Sequence, residues 1–392
     1  MPESGMPVVP VKIVGAGISG LVLGQCLRRR KIPSVIFERI QENPTRNNYG
    51  ITLYNTTYRP LLETLGLPED EFKRKVAVHN PKDNGAVADK QALRVNRCAL
   101  TRLLQQGLDI RWEHKLESVN QINGSQGSVS FNTDSGNQTV TEDYQVLVGA
   151  DGVHSGARSS LSLPASSFSL NVLPYIVFNG KRRIQFSELP PRLLNCFESP
   201  NGISHNRGGA VLSIKADFWD AEKQIVAVSY TMSRAAGDDD KPLLERNISD
   251  ASTIAKQFVK EIAALGQLPE PFDQVFNPNT MEEDRLLHWL MRSAQLDLGM
   301  AKQLAESRGI VLLGDAAHPQ PIPGEGANTA IKDAMVLASH VEPSGKIQGK
   351  DFDFLQDLHC TWTEAKQKTE QDLQNLQPRD AQPPKTGWRA MF

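Results

Sequence analysis

Three short stretches combine glycines with single charged residues, a combination suited to phosphate groups and ribose hydroxyls. The first, Gly15-Ala-Gly17-Ile-Ser-Gly20, follows the apolar run Val11 to Val14 and precedes Leu21, Leu23 and Leu27 at near-helical spacing. Between a strand and a helix, Gly15 permits a tight turn, Gly17 lets backbone N–H groups approach a pyrophosphate, and Gly20 allows close helix-strand packing. The helix N-terminus opening there offers free donors and a positive dipole end. Glu38 closes the next apolar run 18 residues beyond Gly20. That is near the separation at which an acid accepts from adenosine ribose hydroxyls, and its charge would repel a 2′-phosphate. These residues fit a tightly held FAD or NAD; a glycine turn serving only the fold is the alternative.

The other two stretches are Gly149-Ala-Asp151-Gly152-Val-His-Ser155-Gly-Ala-Arg158 and Gly314-Asp315-Ala-Ala-His318-Pro-Gln-Pro-Ile-Pro-Gly324-Glu-Gly326-Ala-Asn328-Thr-Ala-Ile-Lys-Asp333-Ala. With the first they resemble, in order and spacing, the GxGxxG, DGxxSxxR and GDAAHP…GxGxN segments of the flavin-dependent class A monooxygenases with the p-hydroxybenzoate hydroxylase fold. The resemblance spans Val11 to Ala334. It implies FAD as cofactor, with Asp315 bonding the ribityl chain and backbone donors near Gly326, Ala327 and Asn328 facing the flavin N1/O2 edge. A helix N-terminus at that edge would stabilise the anionic reduced flavin.

By the same resemblance Asp151 and Arg158 contact FAD and a transient NAD(P)H, although a turn cap at Asp151 and a domain tie at Arg158 explain those residues equally. Arg97 matches a helix-opening arginine that reaches the flavin, or is a surface arginine. Arg39 flanks the adenine, or is a solvated charge. The family places its substrate over the flavin and under a second sheet, where Arg182, Arg183, His205, Arg207 and Tyr230 are candidates. Arg183 and Tyr230 are singled out as catalytic, to orient an electron-rich substrate or donate a proton; otherwise they are surface strand residues. Two departures stand out. The loop between His318 and Gly324 is one residue shorter than the family spacing, which shifts the carbonyls of Pro319, Pro321 and Pro323 beside the flavin. No second GxGxxG occurs, as in a class that binds NAD(P)H only transiently, and the choice of hydride donor stays open.

The resemblance therefore implies an NAD(P)H-consuming monooxygenase that inserts one oxygen atom of O2, through a flavin C4a-hydroperoxide, into an aromatic, indolic or similar electron-rich small molecule in specialised metabolism. The alternatives are a FAD-dependent dehydrogenase or C=C reductase on the same scaffold, which would incorporate no labelled O2, and a flavoprotein without catalysis, whose flavin NAD(P)H would not reduce.

The elements that must position these residues read as an α/β chain. A Rossmann-like FAD-binding domain, with a parallel sheet, helices and a small antiparallel meander, is expected over 10–75, 95–165 and 276–345. A mixed-sheet substrate domain takes 76–94 and 166–275. Helical stripes are expected at Tyr58 to Leu65, Val95 to Leu104 and Thr253 to Leu265. The meander comprises Ile110-Arg-Trp, Ser128 to Phe131 and Thr139-Val between turns at Asn123 to Gly127 and Asp134 to Asn137. The second sheet comprises Val172 to Phe178, Gly209 to Ile214 and Gln224 to Tyr230, and Gly237 to Pro242 is a turn or mobile loop. Phe352, Leu355, Leu358, Trp362 and Ala365 mark a C-terminal amphipathic helix over 351–376, and 377–392 is a flexible tail.

Composition narrows the partners. Lys and Arg number 43 against 45 Asp and Glu, for a net charge of -2, so no global field draws the chain to nucleic acid. Four scattered cysteines, Cys26, Cys98, Cys196 and Cys360, offer no metal or disulfide spacing. With no secretory start or membrane-length apolar run, the expected setting is soluble and cytoplasmic, the expected partners a small molecule and O2, and no metal is expected.

Overall fold

The structure is a computed structural model that describes residues 9–42, 48–123, 126–133, 138–245, 251–321, 325–347 and 352–376. The expected tail over 377–392, most of the two meander turns and residues 322–324 of the shortened loop lie outside these. Strand β1 (Val11–Val14) is wholly buried, α1 (Ile18–Arg29) follows the glycine turn, and β2 (Ser34–Phe37) returns parallel to β1. Strand β3 (Gly50–Tyr54) runs into α2 (Asn55–Leu65), which stops where Gly66 takes a φ of 65°, and α3 (Glu69–Val76) follows. The stripe expected as one helix from Val95 divides. Strand β4 (Ala92–Asn96) pairs antiparallel with β3, and α4 (Arg97–Gln105) opens where Asn96 Oδ1 accepts from the Ala99 N–H at 3.0 Å.

Strand β5 (Ile110–Arg111) joins β2 in parallel, and β6 (His114–Asn123), β7 (Gln126–Thr133) and β8 (Gln138–Tyr144) form the antiparallel meander. Strand β9 (Leu147–Gly149) lies parallel to β1, and Ser155 caps α5 (Gly156–Ser160).

The second sheet takes β10 (Asn171–Gln185), β11 (Ile203–Arg207), β12 (Ala210–Asp220) and β13 (Ile225–Ala235). Helices α6 (Lys241–Leu244), α7 (Ala251–Ala264), α8 (Phe272–Val275) and α9 (Pro278–Met281) precede its last strand, β14 (Arg285–Ser293). The segment from Gly237, expected as a loop, makes a short 3₁₀ turn at Asp238–Asp240 before α6. The strand order is β11-β12-β13-β10-β14 and each pairing is antiparallel, where a mixed sheet was expected. The links at 208–209 and 221–224 are too short for a parallel crossover.

Helix α10 (Leu298–Arg308) then returns the chain, and β15 (Ile310–Leu312) lies parallel to β9, completing the order β15-β9-β1-β2-β5. Two further helices follow, α11 (Gly326–His340) and α12 (Asp353–Leu376), the latter at the expected amphipathic stripe. None of the described helices is long and apolar enough to cross a membrane.

Two large apolar clusters result. One surrounds the parallel sheet and includes Ile13, Leu21, Phe37, Leu147, Ile310 and Trp362. The other lies between the second sheet and its helices, where Phe178 stacks on Phe258 at 4.9 Å and Leu212, Ile214, Val228 and Met232 are buried. Side chains alternate along a strand, so Asn179, Lys181, Ser213, Lys215, Asp217, Ser229 and Thr231 stand on the sheet's opposite face. Helix α12 spans both bodies: Trp362 enters the first cluster, while Leu373 packs on Val177 and Met291 of the second sheet.

Candidate functional site

The glycine turn has one crowded side and one open side. Gly15 holds a φ of +106°, and a Cβ there would lie 2.5 Å from Ala150 O; a Cβ on Gly20 would lie 2.1 Å from Gly15 O. Both glycines are required by the packing of α1 on β1 and on the segment after β9. A Cβ on Gly17 would meet only Ala150 O, at 3.7 Å, so the backbone at the start of α1 remains approachable. No side chain caps this 12-residue helix at Gly17, and its first-turn N–H groups lack intrahelical acceptors. Glu38, half-buried at the end of β2, accepts from the Ala16 N–H at 2.8 Å through Oε2 and from the Ile40 N–H at 3.3 Å through Oε1. Its carboxylate is thereby fixed beside the turn. The neighbouring Arg39 is exposed.

In the second motif the conspicuous residues hold their own loop. Asp151 accepts from Ser155 Oγ and, at 3.0 Å, from the Ala157 N–H in the first turn of α5. Arg158 donates to Ala316 O at 2.8 Å and Val153 O at 2.7 Å, with its guanidinium 4.1 Å from the Phe168 ring centroid. It ties this loop to the third motif, within one body.

The third motif is set from below by Asp333 of α11. This fully buried carboxylate accepts from the Gly314 N–H at 3.0 Å and from Trp362 Nε1 at 2.8 Å, and lies 2.5 Å from His318 Nε2. His318 in turn stacks on Trp362 at 4.6 Å. The chain bends around this network, and Asp315 projects from it. Its side chain is exposed while protein surrounds it deeply enough for burial to raise its pKa, against the lowering charges of His318 and Arg97. A carboxylate that is both exposed and desolvated sits on the floor of a crevice. A Cβ on Gly326 would meet only Asp315 Oδ1, at 3.7 Å, so the start of α11 opens on the same crevice. Asn328 is used otherwise: Oδ1 accepts from the Tyr54 N–H at 2.9 Å, and Nδ2 donates to Thr52 O at 3.1 Å. Its side chain therefore clamps α11 to β3, and only its backbone is available beside Gly326 and Ala327.

Arg97, at the start of α4, links this crevice to the second sheet. Its Nη1 donates to the Tyr49 hydroxyl at 2.9 Å, its charge bears on Asp315, and Lys181 Nζ lies 4.5 Å from the Tyr49 ring centroid. The substrate-side candidates divide by face. Arg183 is exposed on the face shared with Lys181, its guanidinium 5.7 Å from the Phe218 ring centroid. Tyr230, expected to be catalytic, points the other way: it is fully buried among Phe258 and Phe276, and its hydroxyl donates to Asp284 Oδ2 at 2.5 Å. Arg182 shares that acceptor at 2.6 Å, His205 packs on Phe272 at 5.5 Å, and Arg207 donates to Leu265 O at 3.3 Å. All four belong to the helix-covered face because each pairs in register with a residue of that face or stacks on its aromatics.

Lys215, Lys181, Asn179 and Asp217, on the face opposite the helices, were not picked from the sequence. The alternation Leu212-Ser-Ile-Lys-Ala-Asp217 carried the information, since every second residue is polar.

The family described as "FAD binding domain" matches residues 8–178. The FAD-dependent monooxygenase nscC of Arthroderma otae is 30% identical over 378 residues, covering 88% of this chain and 87% of its own length. The FAD-dependent monooxygenase vrtH of Penicillium aethiopicum is 28% identical over 374 residues, covering 86% of each. A solved structure from Photorhabdus luminescens, described as a FAD-containing monooxygenase, superposes with a TM-score of 0.67 at 20% identity over 94% of this chain and 98% of that one. The fold agrees with that neighbour, the relatives span nearly the whole sequence, and the chain belongs to the class A flavoprotein monooxygenases, enzymes that use FAD.

Proposed function

We propose that the crevice between the parallel sheet and the open face of the second sheet holds FAD, accepts reducing equivalents from NADH or NADPH, and oxygenates an electron-rich aromatic small molecule on that open face. The observation that carries this reading is the convergence on one crevice of two helix N-termini, the exposed carboxylate of Asp315 and, through Tyr49 and Arg97, the polar face of the second sheet.

The residues fit the cofactor. The backbone at Gly17 has room for a pyrophosphate, and α1 directs its positive end there. Glu38 is positioned to accept from ribose hydroxyls, Asp315 from the ribityl hydroxyls, and the first-turn N–H groups at Gly326, Ala327 and Asn328 to donate to an anionic edge of the flavin ring. When bound, FAD supplies the two-electron redox chemistry and the activation of O2. The chain's own residues bind and orient: Arg97 is held by Tyr49 at the junction with the second sheet, and α12 screens the rim, where Lys368 pairs with Glu325 and lies 5.6 Å from the Tyr54 ring centroid. Asp151 and Arg158 act by fixing the loops around Ala150 and Ala316 that frame the site. Arg39, exposed next to Glu38, is assigned to the nucleotide end, and Arg183, exposed beside Phe218, to the substrate end.

The test is anaerobic addition of NADH or NADPH to the FAD-loaded protein with a panel of hydroxylated aromatics, followed by ¹⁸O₂. Bleaching of the flavin band that a panel member accelerates, with one labelled oxygen atom in the product by mass spectrometry, is expected. Turnover of an organic substrate without label would overturn the oxygenase reading.

A further inference from the structure

The apolar stripe of α12 accounts by itself for packing on the first body, where Phe354, Leu355 and Leu358 are buried together with Trp362. One polar atom of that stripe is nevertheless engaged deep in the interior. Trp362 Nε1 donates to Asp333 Oδ1 at 2.8 Å, and indole and carboxylate are both fully buried. The second carboxylate oxygen, Oδ2, accepts from the Gly314 N–H at 3.0 Å and lies 2.5 Å from His318 Nε2. The His318 ring stacks on Trp362 at 4.6 Å, and its Nδ1 has no hydrogen-bond partner among the described residues, so Asp333 is the partner that orients it.

This network reaches the cofactor crevice through the bend it holds. Gly314 takes a φ of +55°, a Cβ there would lie 3.1 Å from Ser19 Oγ in the first turn of α1, and Asp315 follows directly. The charges of His318 and Asp333 both bear on Asp315, in opposite senses. Further along α12, Lys368 pairs with Glu325, the residue at the N-cap of α11. Towards its C-terminal end the helix is held by the second sheet instead: Glu370 accepts from Ser293 Oγ at 3.1 Å, and Leu373 packs on Val177 and Met291. A buried carboxylate needs its full set of donors. Without Trp362, Asp333 Oδ1 is left in the core with no donor, and the oxygen that sets Gly314 and His318 is free to turn.

We propose that Trp362 is a positioning residue of the cofactor site: acting through Asp333, it fixes the bend from Gly314 to His318 that presents Asp315, so that docking of α12 and binding of FAD favour each other. The inference rests on the reading of the crevice as the FAD site. Coupling between two sites is reciprocal, so the gain in FAD affinity that α12 provides must equal the gain in α12 stability that FAD provides. An amphipathic helix far along the chain thereby becomes part of the nucleotide site without touching the three glycine motifs in sequence.

The protein is stripped of FAD and titrated with it, flavin fluorescence being the readout. Trp362→Phe, which keeps a ring against His318 and removes the donor, should weaken FAD by about tenfold, within the range of a hydrogen bond to a charged group. Leu373→Ala, which loosens the same helix at the second sheet, should leave FAD within about threefold of the parent protein, and in an Asp315→Ala background Trp362→Phe should cost less than about threefold, because residues that act through one another are not additive. The indole proton of Trp362, assigned by its absence in Trp362→Phe, should shift in the ¹⁵N-resolved proton spectrum when FAD is added. In the parent protein, hydrogen exchange over Asp353–Leu376 should slow by at least about tenfold on adding FAD. That measurement needs no variant and decides if Trp362→Phe folds poorly. A parent protein that binds no FAD would overturn the cofactor reading itself. With FAD bound, unchanged exchange over α12, an unmoved indole proton, Trp362→Phe binding like the parent, Leu373→Ala losing as much as Trp362→Phe, or additive losses with Asp315→Ala would overturn the positioning role.

Discussion

Lys181 and Arg182 are consecutive, as are Ser229 and Tyr230, yet the members of each pair live in different surroundings. Arg182 and Tyr230 face the helices, where both donate to Asp284 and the group is closed in charge and hydrogen bonding. Burial and the Asp284 carboxylate hold the Tyr230 phenol far above its ordinary range, so it stays a neutral donor. Lys181 and Ser229 point to the opposite face, where Lys181 lies over Tyr49 and Ser229 donates to Asp217. A single-residue step along a strand decides whether a cation is closed into a buried ion pair or left on the opposite face without one.

The largest effect that would sharpen this contrast is Asp284→Ala. It strands the Arg182 charge and the Tyr230 hydroxyl in the core and should cost about 3–5 kcal/mol of stability. Urea unfolding measures it; a midpoint unchanged from the parent protein would erase the distinction between the faces.

On the other face, Lys215→Met should stabilise. The lysine titrates near 8 when folded and near 10.4 when unfolded, so the unfolded chain holds the extra proton between those values. The parent's stability should rise from about pH 8 to about pH 10, and the penalty is present in full below 8. Lys215→Met should be more stable at pH 7 by up to about 3 kcal/mol and should lack the rise. A variant that is destabilised with the rise intact would show that Lys215 is not the strained cation.

Asp315→Ala should weaken FAD by about ten- to a hundredfold, the worth of roughly 1.5–3 kcal/mol for a charge-assisted hydrogen bond, as read by flavin retention on dilution. Unchanged retention would remove Asp315 from the cofactor crevice. The smallest effect on the fold belongs to Gly17→Ala. With only Ala150 O near the new methyl group, stability should stay within about 0.5 kcal/mol while FAD affinity falls. Gly15→Ala, which would press on Ala150 at a positive φ, should instead unfold the turn.

The parts of the site that depend on local geometry were legible. The strand, glycine turn and helix over Val11 to Arg29 follow from a contiguous pattern, and so does the position of Glu38 at the end of β2. What the sequence hid depends on distant partners. Tyr230 resembles a pocket phenol until Phe258 and Phe276, which arrive later in the chain, fix which face is covered. Asn328 carries a motif position, but its side chain is spent on β3, more than 270 positions away. Asp333 falls in the third motif and Trp362 in the C-terminal amphipathic stripe, and only the fold brings them together on His318. Lys215 was legible in part, since the alternation in β12 shows it opposite Ile214; the charge imbalance around it requires knowing where Arg94 and Asp217 end up.

The order of strands in the parallel sheet has a consequence for how the protein is made. By Gly149 the chain has supplied β1, β2, β5 and β9, but β15, which covers the free edge of β9, comes only at Ile310–Leu312. At translation rates of about 5–20 residues per second, that edge waits roughly 10–30 s while the second sheet is synthesised. An uncovered run of backbone donors and acceptors in a buried-type strand is a template for pairing with other chains. Ribosome-bound intermediates of this length are therefore where a chaperone matters most, and the nucleotide-binding half should aggregate when it is expressed without the segment that carries β15.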